Sequence, residues 1–374
     1  MTSAKIRVGV CFGGRSGEHE VSLQSARSVL ANLDLDRYEV TQIAITHTGQ
    51  WYSGVNALEM LSSGSVTGLE RVMLLAEPGD HNLYALVESN GSFHLEKRVE
   101  LDVIIPVLHG TFGEDGTIQG LFEMNGIAYV GAGVLGSAVG MDKDIFKQIM
   151  RANHLPVLDW VTVDRFRVEN DIHGVIQAAE SLSTYPLFTK PANLGSSVGI
   201  TKCRTRSDLY EGLMEACRFD RRIMIERGLD NPREIEVSVL GNEQPQASLT
   251  GEIIPGEDFY TYSAKYISDN SQLLIPAPLP EDVCEQIRNI AIKAYKASDC
   301  AGMARVDFLV DRNNLTIYLS ELNTIPGFTR ISMYPKLWEA SGLKYTALLD
   351  RLIELALERK SNRDRTEFVY RREP

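Results

Sequence analysis

An α/β fold in more than one domain is what this sequence predicts, and three observations carry that prediction. The chain has 374 residues, more than one ordinary core accommodates. It opens on a short apolar run, Ile6 to Phe12, then a Gly13-Gly14 turn, then apolar residues at helical spacing from Val21 to Leu33, the order in which an α/β unit begins. Further on, Val103 to Leu108 is apolar without alternation, the pattern of a strand buried on both faces of a parallel sheet.

The segment joining the first strand to the first helix, Gly13 to Glu20, lies at the carboxyl end of a strand, where open α/β sheets bind ligands. Glu18 precedes the helix, either as an acid favoured by the helix dipole or as a partner for an ammonium group on a ligand. Tyr38 to Ile45 is a second strand. Trp51 to Lys97 is uneven and rich in Gly and Ser, and it receives no function. The strand at 103–108 delivers His109-Gly110-Thr111-Phe112-Gly113-Glu114-Asp115-Gly116 to the same sheet edge as Gly13. His109 is there either a satisfied structural residue or a ligand contact. Gly131 to Gly136 matches GxGxxG, but it follows several α/β units and lacks a strand ending in an acid about twenty residues on. We read it as the turn into a second domain.

Beyond that turn, Met141-Asp142-Lys143 begins a helix with Phe146, Ile149 and Met150 on one face. Two strands, Tyr185 to Lys190 and Val198 to Lys202, flank the Gly/Ser loop Pro191 to Ser197. Backbone N–H groups and hydroxyls in such a loop suit a polyphosphate, with Lys143 and Lys190 as compact cations, although the Walker spacing is absent. Arg222 to Leu229 is a strand reaching a bent polar segment, a place for a flat heterocycle, and Glu234 opens the alternating strand that follows. The tyrosine-dense stretch from Gly256 to Gln272 has the length and position of a lid. Asp282 to Ser298 is an amphipathic helix.

Ala304 to Val310 and Thr316 to Asn323, joined by Asp311-Arg312-Asn313-Asn314, read as a β-hairpin. Residues two apart in a strand share a face, so Glu321 and Asn323 project together. Asp307 joins them only in one register. Such a set of hard oxygens suits magnesium shared with substrate phosphates, the alternative being ordinary exposed acids. A Pro/Gly turn, Thr324 to Met333, follows with hydroxyls and an arginine. Helical spacing from Trp338 to Glu358 closes the fold, and Lys360 to Pro374 reads as a charged, frayed tail.

Composition narrows the function. A formal charge of -12 argues against nucleic acid as a partner. Cys11, Cys203, Cys217, Cys284 and Cys300 show no CxxC spacing, as expected of free thiols in a reducing cytoplasm. No apolar run has the length of a membrane span.

Taken together, the segments GGRSGEHEVSLQSA, HGTFGEDGTIQG, MDK, KPANLGSSVGI, REIEVSVLGN, YSAKYIS, GMARVDF and ELNTIPGFTRISMYP resemble, in order and over nearly the whole chain, the D-alanine–D-alanine ligases of the ATP-grasp superfamily. The resemblance implies an N-terminal Rossmann-like parallel-sheet domain (1–132) followed by a two-subdomain ATP-grasp fold (133–233 and 234–374, the latter with the lid and metal site). It implies ATP-dependent ligation of two D-alanines through an acyl phosphate, for peptidoglycan precursor synthesis, by a cytoplasmic homodimer. Glu18 would hold the ammonium of the first D-alanine and His109 would lie near its carboxylate. Lys143, Lys190 and Ser197 would contact phosphates; Glu226, Arg227, Gly228 and Leu229 would bracket adenine; Glu234 would hold the ribose. Asp307, Glu321 and Asn323 would carry two magnesium ions, replaceable by manganese. Arg305 and the Gly327 N–H would stabilise the oxyanion. Ser332, the Met333 N–H and Lys265 would receive the second carboxylate, Lys265 also serving ATP. Glu18, Ser196 and Tyr266 would form a triad that closes the site. Ligases that make D-alanyl-D-lactate typically have histidine at the lid position of Tyr266, so tyrosine implies an amine acceptor.

Overall fold

Three sheets, each built from a contiguous stretch of sequence, organise the computed structural model, which describes residues 4–196, 198–254, 272–367 and 369. Ser197, Lys265, Tyr266 and the body of the expected lid therefore lie outside the described residues.

The first sheet has eight strands: β1 (Ile6–Gly13), β2 (Tyr38–Ile45), β3 (Trp51–Ser53), β4 (Glu70–Leu74), β5 (Asn82–Ser89), β6 (Ser92–Glu100), β7 (Val103–Val107) and β8 (Ala128–Tyr129), in the order 6-5-4-3-2-1-7-8. The strands expected to be parallel are so: β1 pairs with β2 and β7, and β7 with β8. The stretch without a pattern, 51–97, supplies an antiparallel extension, β3 to β6, to one side. Most of β6 is exposed, and a strand wetted on both faces carries no alternation to read.

Helices α1 (His19–Asn32), α2 (Ala57–Ser62) and α3 (Thr117–Asn125) belong to this first stretch, and α4 (Val134–Met141) and α5 (Lys143–Ala152) lead out of it. Gly131, at φ +97°, makes the turn before α4, so the GxGxxG run is a junction. Asp142 starts α5 by accepting the Ile145 N–H at 3.0 Å.

The second sheet comprises β9 (Trp160–Asp164), β10 (Leu187–Pro191), β11 (Thr201–Cys203) and β12 (Arg222–Arg227), in the order 11-10-12-9, all antiparallel. It is backed by α6 (Arg165–Asn170), α7 (Ile172–Leu182) and α8 (Arg206–Phe219). The third comprises β13 (Arg233–Leu240), β14 (Gln246–Ile254), β15 (Gln272–Leu274), β16 (Met303–Val310) and β17 (Ile317–Asn323), in the order 15-14-13-16-17, with α9 (Glu281–Ala297) packed against it. Two successive antiparallel sheets are what the resemblance to the ATP-grasp fold implies.

Two expectations for the C-terminus need correction. The run from Trp338 is two helices, α10 (Met333–Ala340) and α11 (Tyr345–Arg363), because Gly342 at φ +95° lets the Leu343 N–H fold back to the Trp338 carbonyl at 2.9 Å and ends the first. Nor is the chain frayed from Lys360. Arg363 reaches Glu123 at 2.6 Å and the Gly126 carbonyl at 2.9 Å, and Arg359 reaches the Tyr129 carbonyl at 3.2 Å. The apolar face of α11, including Leu348, Leu352 and Ile353, shares a core with Val8, Val10 and Val103 of the first sheet. Among the described residues no helix is long and apolar enough to cross a membrane, and all five cysteines are free.

Candidate active site

The hairpin settles its own register. Asp307 pairs with Glu321 and Arg305 with Asn323, so all four side chains share one face. Strand β16 alternates buried Ala304, Val306, Phe308 and Val310 with the half-buried residues between them, which is why the polar set stays out of the core. On the other side of β16, Glu236 pairs with Asp307 and brings a further carboxylate to that face. Arg305 clamps Asp307 through two bonds of 2.7 and 2.6 Å and lies 2.9 Å from Glu236, and Asn323 donates its amide N–H to Asp307 at 3.0 Å.

Facing this hairpin is a cleft of about 550 Å³ lined from both antiparallel sheets, by Lys143, Lys190, Glu226, Glu234, Asp307 and Glu321 among others, a size that suits a nucleotide-scale ligand. Glu226, 3 % exposed on β12, receives Lys190 at 2.5 Å on one oxygen and Lys147 on the other. Burial drives the Glu226 carboxyl up, but the two lysines outweigh it and hold the group at about 2. Burial also lowers the Lys147 ammonium, against the pull of Glu226. Lys143 donates to the Leu194 carbonyl at 2.5 Å and so ties α5 to the Gly/Ser loop. Arg227, Gly228 and Leu229 line the same cleft, yet the N–H groups of Arg227 and Gly228 are committed to the carbonyls of Asp159 and Pro186, both at 2.9 Å. Of the three, only the Leu229 N–H takes no hydrogen bond among the described residues. The backbone expected to bracket adenine thus lines the cleft with two of its three amides engaged elsewhere.

A smaller cavity adjoins the first, and Lys143, Ser196 and Glu321 line both. Its walls bring Glu18, His109 and Glu114 from the first sheet against Arg305, Asn323 and Gly327. The Ser196 hydroxyl donates to Glu18, and a Cβ on Gly195 would stand 2.8 Å from the same carboxylate. Glu18 is buried at the start of α1 and so is not the solvated cap that the dipole alone would explain. His109 is neutral, because burial pushes its imidazole down to about 4. Both its nitrogens are occupied, Nδ1 by the Ile325 carbonyl at 3.0 Å and Nε2 by the Ser25 hydroxyl at 3.1 Å. His109, expected near a substrate carboxylate, lines the small cavity with both nitrogens engaged. Ser25 also accepts the Phe328 N–H at 3.2 Å. Glu114 accepts the N–H groups of Gly110 and Ile325 at 2.8 and 3.1 Å, and burial together with the neighbouring Glu18 raises its carboxyl to about 8.

Comparison with known proteins fits this geometry. Residues 7–132 match the family model described as D-ala D-ala ligase N-terminus, and residues 149–354 match D-ala D-ala ligase C-terminus. The chain belongs to the D-alanine–D-alanine ligase family. It is 51% identical over 357 residues to a D-alanine–D-alanine ligase of Thermoanaerobacter sp. (strain X514), covering 95% of this chain and 97% of the relative. Among solved structures it is similar to the D-alanine-D-alanine ligase from Coxiella burnetii (TM-score 0.81, 38% identity, 97% of each chain). It is also similar to the VanG D-Ala:D-Ser ligase from Enterococcus faecalis (TM-score 0.83, 33% identity, 94% of this chain and 100% of that one). As a member of the family it is an ATP-using ligase that acts on small molecules.

In this member of the D-alanine–D-alanine ligase family the remaining expected residues sit in two places. Gly327 lines the small cavity. Ser332 and Met333 start α10, Ser332 binding the Thr329 N–H and hydroxyl at 3.0 and 2.8 Å. Four polar residues of the site escaped the sequence reading: Ser25, Glu114, Lys147 and Glu236. Periodicity held a signal for two of them. Lys147 is one helical turn past Lys143, and Glu236 is one strand repeat past Glu234.

Proposed function

We propose that this ligase joins two D-alanines into D-alanyl-D-alanine, cleaving ATP to ADP and phosphate through an acyl phosphate, in the supply of peptidoglycan precursors. The observation that carries the reading is the shared face of Arg305, Asp307, Glu321 and Asn323, set at the meeting of a nucleotide-sized cleft and a small polar cavity closed by Glu18.

In this reading the units 1–132, 133–233 and 234–374 close around the substrates. Lys143, Lys190 and Ser197 contact the ATP phosphates, with Glu226 and Leu229 toward adenine and Glu234 toward ribose. The Glu18 carboxylate, fixed by Ser196 and closed over by Tyr266, holds the ammonium of the first D-alanine. Its carboxylate then attacks the γ-phosphate. Two unit charges about 4 Å apart repel by roughly 4 kcal/mol at an intermediate dielectric, so this approach requires cations. Asp307, Glu321 and Asn323 fit magnesium: their donors are hard oxygens, and Asn323 gives Asp307 its N–H and so keeps its amide oxygen as an acceptor. Two magnesium ions, or manganese in their place, would be held there and would neutralise phosphate charge.

The second D-alanine presents its carboxylate to Ser332, Lys265 and the Met333 N–H, one of the unpaired donors at the start of a helix. Its amine attacks the acyl phosphate carbonyl, and Arg305 and the Gly327 N–H receive the oxyanion. His109 acts at one remove, holding Ile325 and Ser25 and through them the turn that carries Gly327. A homodimer in the cytoplasm completes the reading.

The test is ATP cleavage by the purified protein. Phosphate is released only with magnesium and D-alanine both present, L-alanine is inert, and Asp307→Ala is silent. Similarity to a D-Ala:D-Ser ligase makes D-serine the second acceptor worth measuring. If D-serine or D-lactate served as well as D-alanine near neutral pH, the assignment of the second substrate would be wrong.

A further inference from the structure

We infer a transition-metal site on the first domain, formed by His19, Glu20 and His47 and separate from the catalytic cavities. One ligand atom from each of the three lies within 4.8 Å of the others. His19 is 2 % exposed at the first position of α1. Its Nδ1 sits 2.8 Å from the Gly14 carbonyl, which places the ring proton on Nδ1 and the lone pair on Nε2. Metal-bound histidines are held in this way, the second nitrogen donating to a carbonyl or carboxylate that fixes tautomer and ring angle. No described residue hydrogen-bonds His19 Nε2, which leaves that lone pair open to a ligand.

His47 comes from the turn between β2 and β3 and stacks on His19 with ring centroids 3.7 Å apart and planes 24° apart. Glu20 follows His19 directly, and its carboxylate lies 3.9 Å from His47 Nε2. That distance, between side chains about two-thirds exposed, makes a weak ion pair at most. It does not account for two imidazoles and a carboxylate gathered on one anchored ring. A cation would draw all three together once His47 turns out of the stack, because a metal lies in the plane of each imidazole it binds. The exposed Glu20 and His47 have room to turn onto a metal that the fixed His19 positions. Burial and the nearby His47 lower the His19 imidazole, so it is present as the neutral ligand.

The donor set identifies the class of cation. Two imidazole nitrogens and one carboxylate, with a position left for water, suit Zn²⁺, Ni²⁺ or Cu²⁺, whereas Mg²⁺ and Ca²⁺ prefer all-oxygen sites. The site stands on geometry outside the catalytic residues, so it does not depend on the function proposed above.

The experiment is calorimetric titration of the metal-stripped full-length protein with zinc chloride, with magnesium saturating so that the oxygen site at Asp307 does not compete. One equivalent of zinc is expected to bind the wild type, and His47→Ala and Glu20→Gln are each expected to weaken it at least about tenfold. Copper loading gives a second readout, because electron paramagnetic resonance counts coordinated nitrogens. Two are expected in the wild type and one in His47→Ala. Circular dichroism checks that each variant is folded, and Glu20→Gln with copper stands in should His47→Ala fail. Absence of zinc binding, zinc affinity unchanged in the folded variants, or a copper signal indifferent to His47 would each overturn the site.

Discussion

Glu226 draws two lysine ammonium groups onto one buried carboxylate, and removing that charge gives the sharpest stability prediction. Glu226→Gln keeps the side-chain shape and leaves Lys147 and Lys190 converging on a neutral amide. A carboxyl held at about 2 instead of its ordinary 4.5 corresponds to about 3 kcal/mol of stabilisation at neutral pH. Breaking a buried pair by removing one partner falls in the same range, at about 3–5 kcal/mol. The expected loss in the variant is therefore about 3 kcal/mol.

Amide hydrogen exchange on β12 and β10 reports the opening of this sheet directly, and 3 kcal/mol corresponds to exchange faster by roughly a hundredfold at pH 7. The sign with pH follows from the depressed value. The wild-type advantage is complete above the unfolded value near 4.5 and is lost as pH falls toward about 2. Wild type and variant should therefore converge in acid once exchange is normalised to intrinsic rates. Equal exchange at pH 7, or a difference that persists undiminished at the acid end, would refute the pairing.

Four further outcomes are expected. Arg305→Lys removes the two-pronged clamp on Asp307 and should lower kcat on the order of a hundredfold to a thousandfold in a coupled ADP assay, with KM for ATP nearly unchanged; intact turnover would discard Arg305 as the oxyanion donor. Gly110 has φ +71°, and a Cβ there would stand 2.2 Å from Glu18 Oε2, so Gly110→Ala should raise KM for D-alanine about tenfold or more while fluorescent-nucleotide binding stays as it was. Ser25→Ala strips the hydroxyl shared by His109 and the Phe328 N–H, a loss of about 1–3 kcal/mol that should appear in kcat; unchanged kcat counts against the positioning role of His109. Finally, burial and the Glu18 carboxylate keep Glu114 protonated near pH 7, with its carboxyl at about 8. An ammonium arriving beside Glu18 lowers that value, so D-alanine binding should release a proton, measured by calorimetry in two buffers of different ionisation enthalpy and absent in Glu114→Gln.

Local pattern decided how much of this could be read from the sequence. Strand β1 and the buried β7 announce themselves as apolar runs, and α1 and the β16–β17 hairpin by their spacing and turn residues. Glu321 and Asn323, two apart in a strand, necessarily share one face. Asp307 needed the pairing itself, since one step of register would have turned it to the core. Strand β6 was invisible because solvent touches both its faces. The break at Gly342 was missed because the apolar spacing of α10 runs on into α11 without a phase change. The contribution of Arg359 and Arg363 was missed because their partners, Tyr129, Glu123 and Gly126, lie more than 200 residues away.

The amino-acid end of the site is the extreme case of that last limit. The stretch from Asn323 to Phe328 begins at the hairpin, where Asn323 holds Asp307. It ends against the first domain, where the Phe328 N–H meets Ser25 across 303 residues of sequence and the Ile325 N–H meets Glu114 across 211. Ile325 also receives His109 through its carbonyl, so both polar groups of one peptide-linked residue are spent on docking. Contacts of that separation form only after the chain has closed long loops, and no window of sequence contains both halves. The larger cleft, by contrast, is lined mainly from two sheets that follow one another between Trp160 and Asn323. In the proposed reading the C-terminal part of the chain supplies the nucleotide subsite, and the amino-acid subsite exists only where the first sheet's loops meet the 323–328 turn. If the Gly327 N–H receives the oxyanion as proposed, Ser25, His109 and Glu114, which hold this junction, are as necessary to placing it as the turn that carries it.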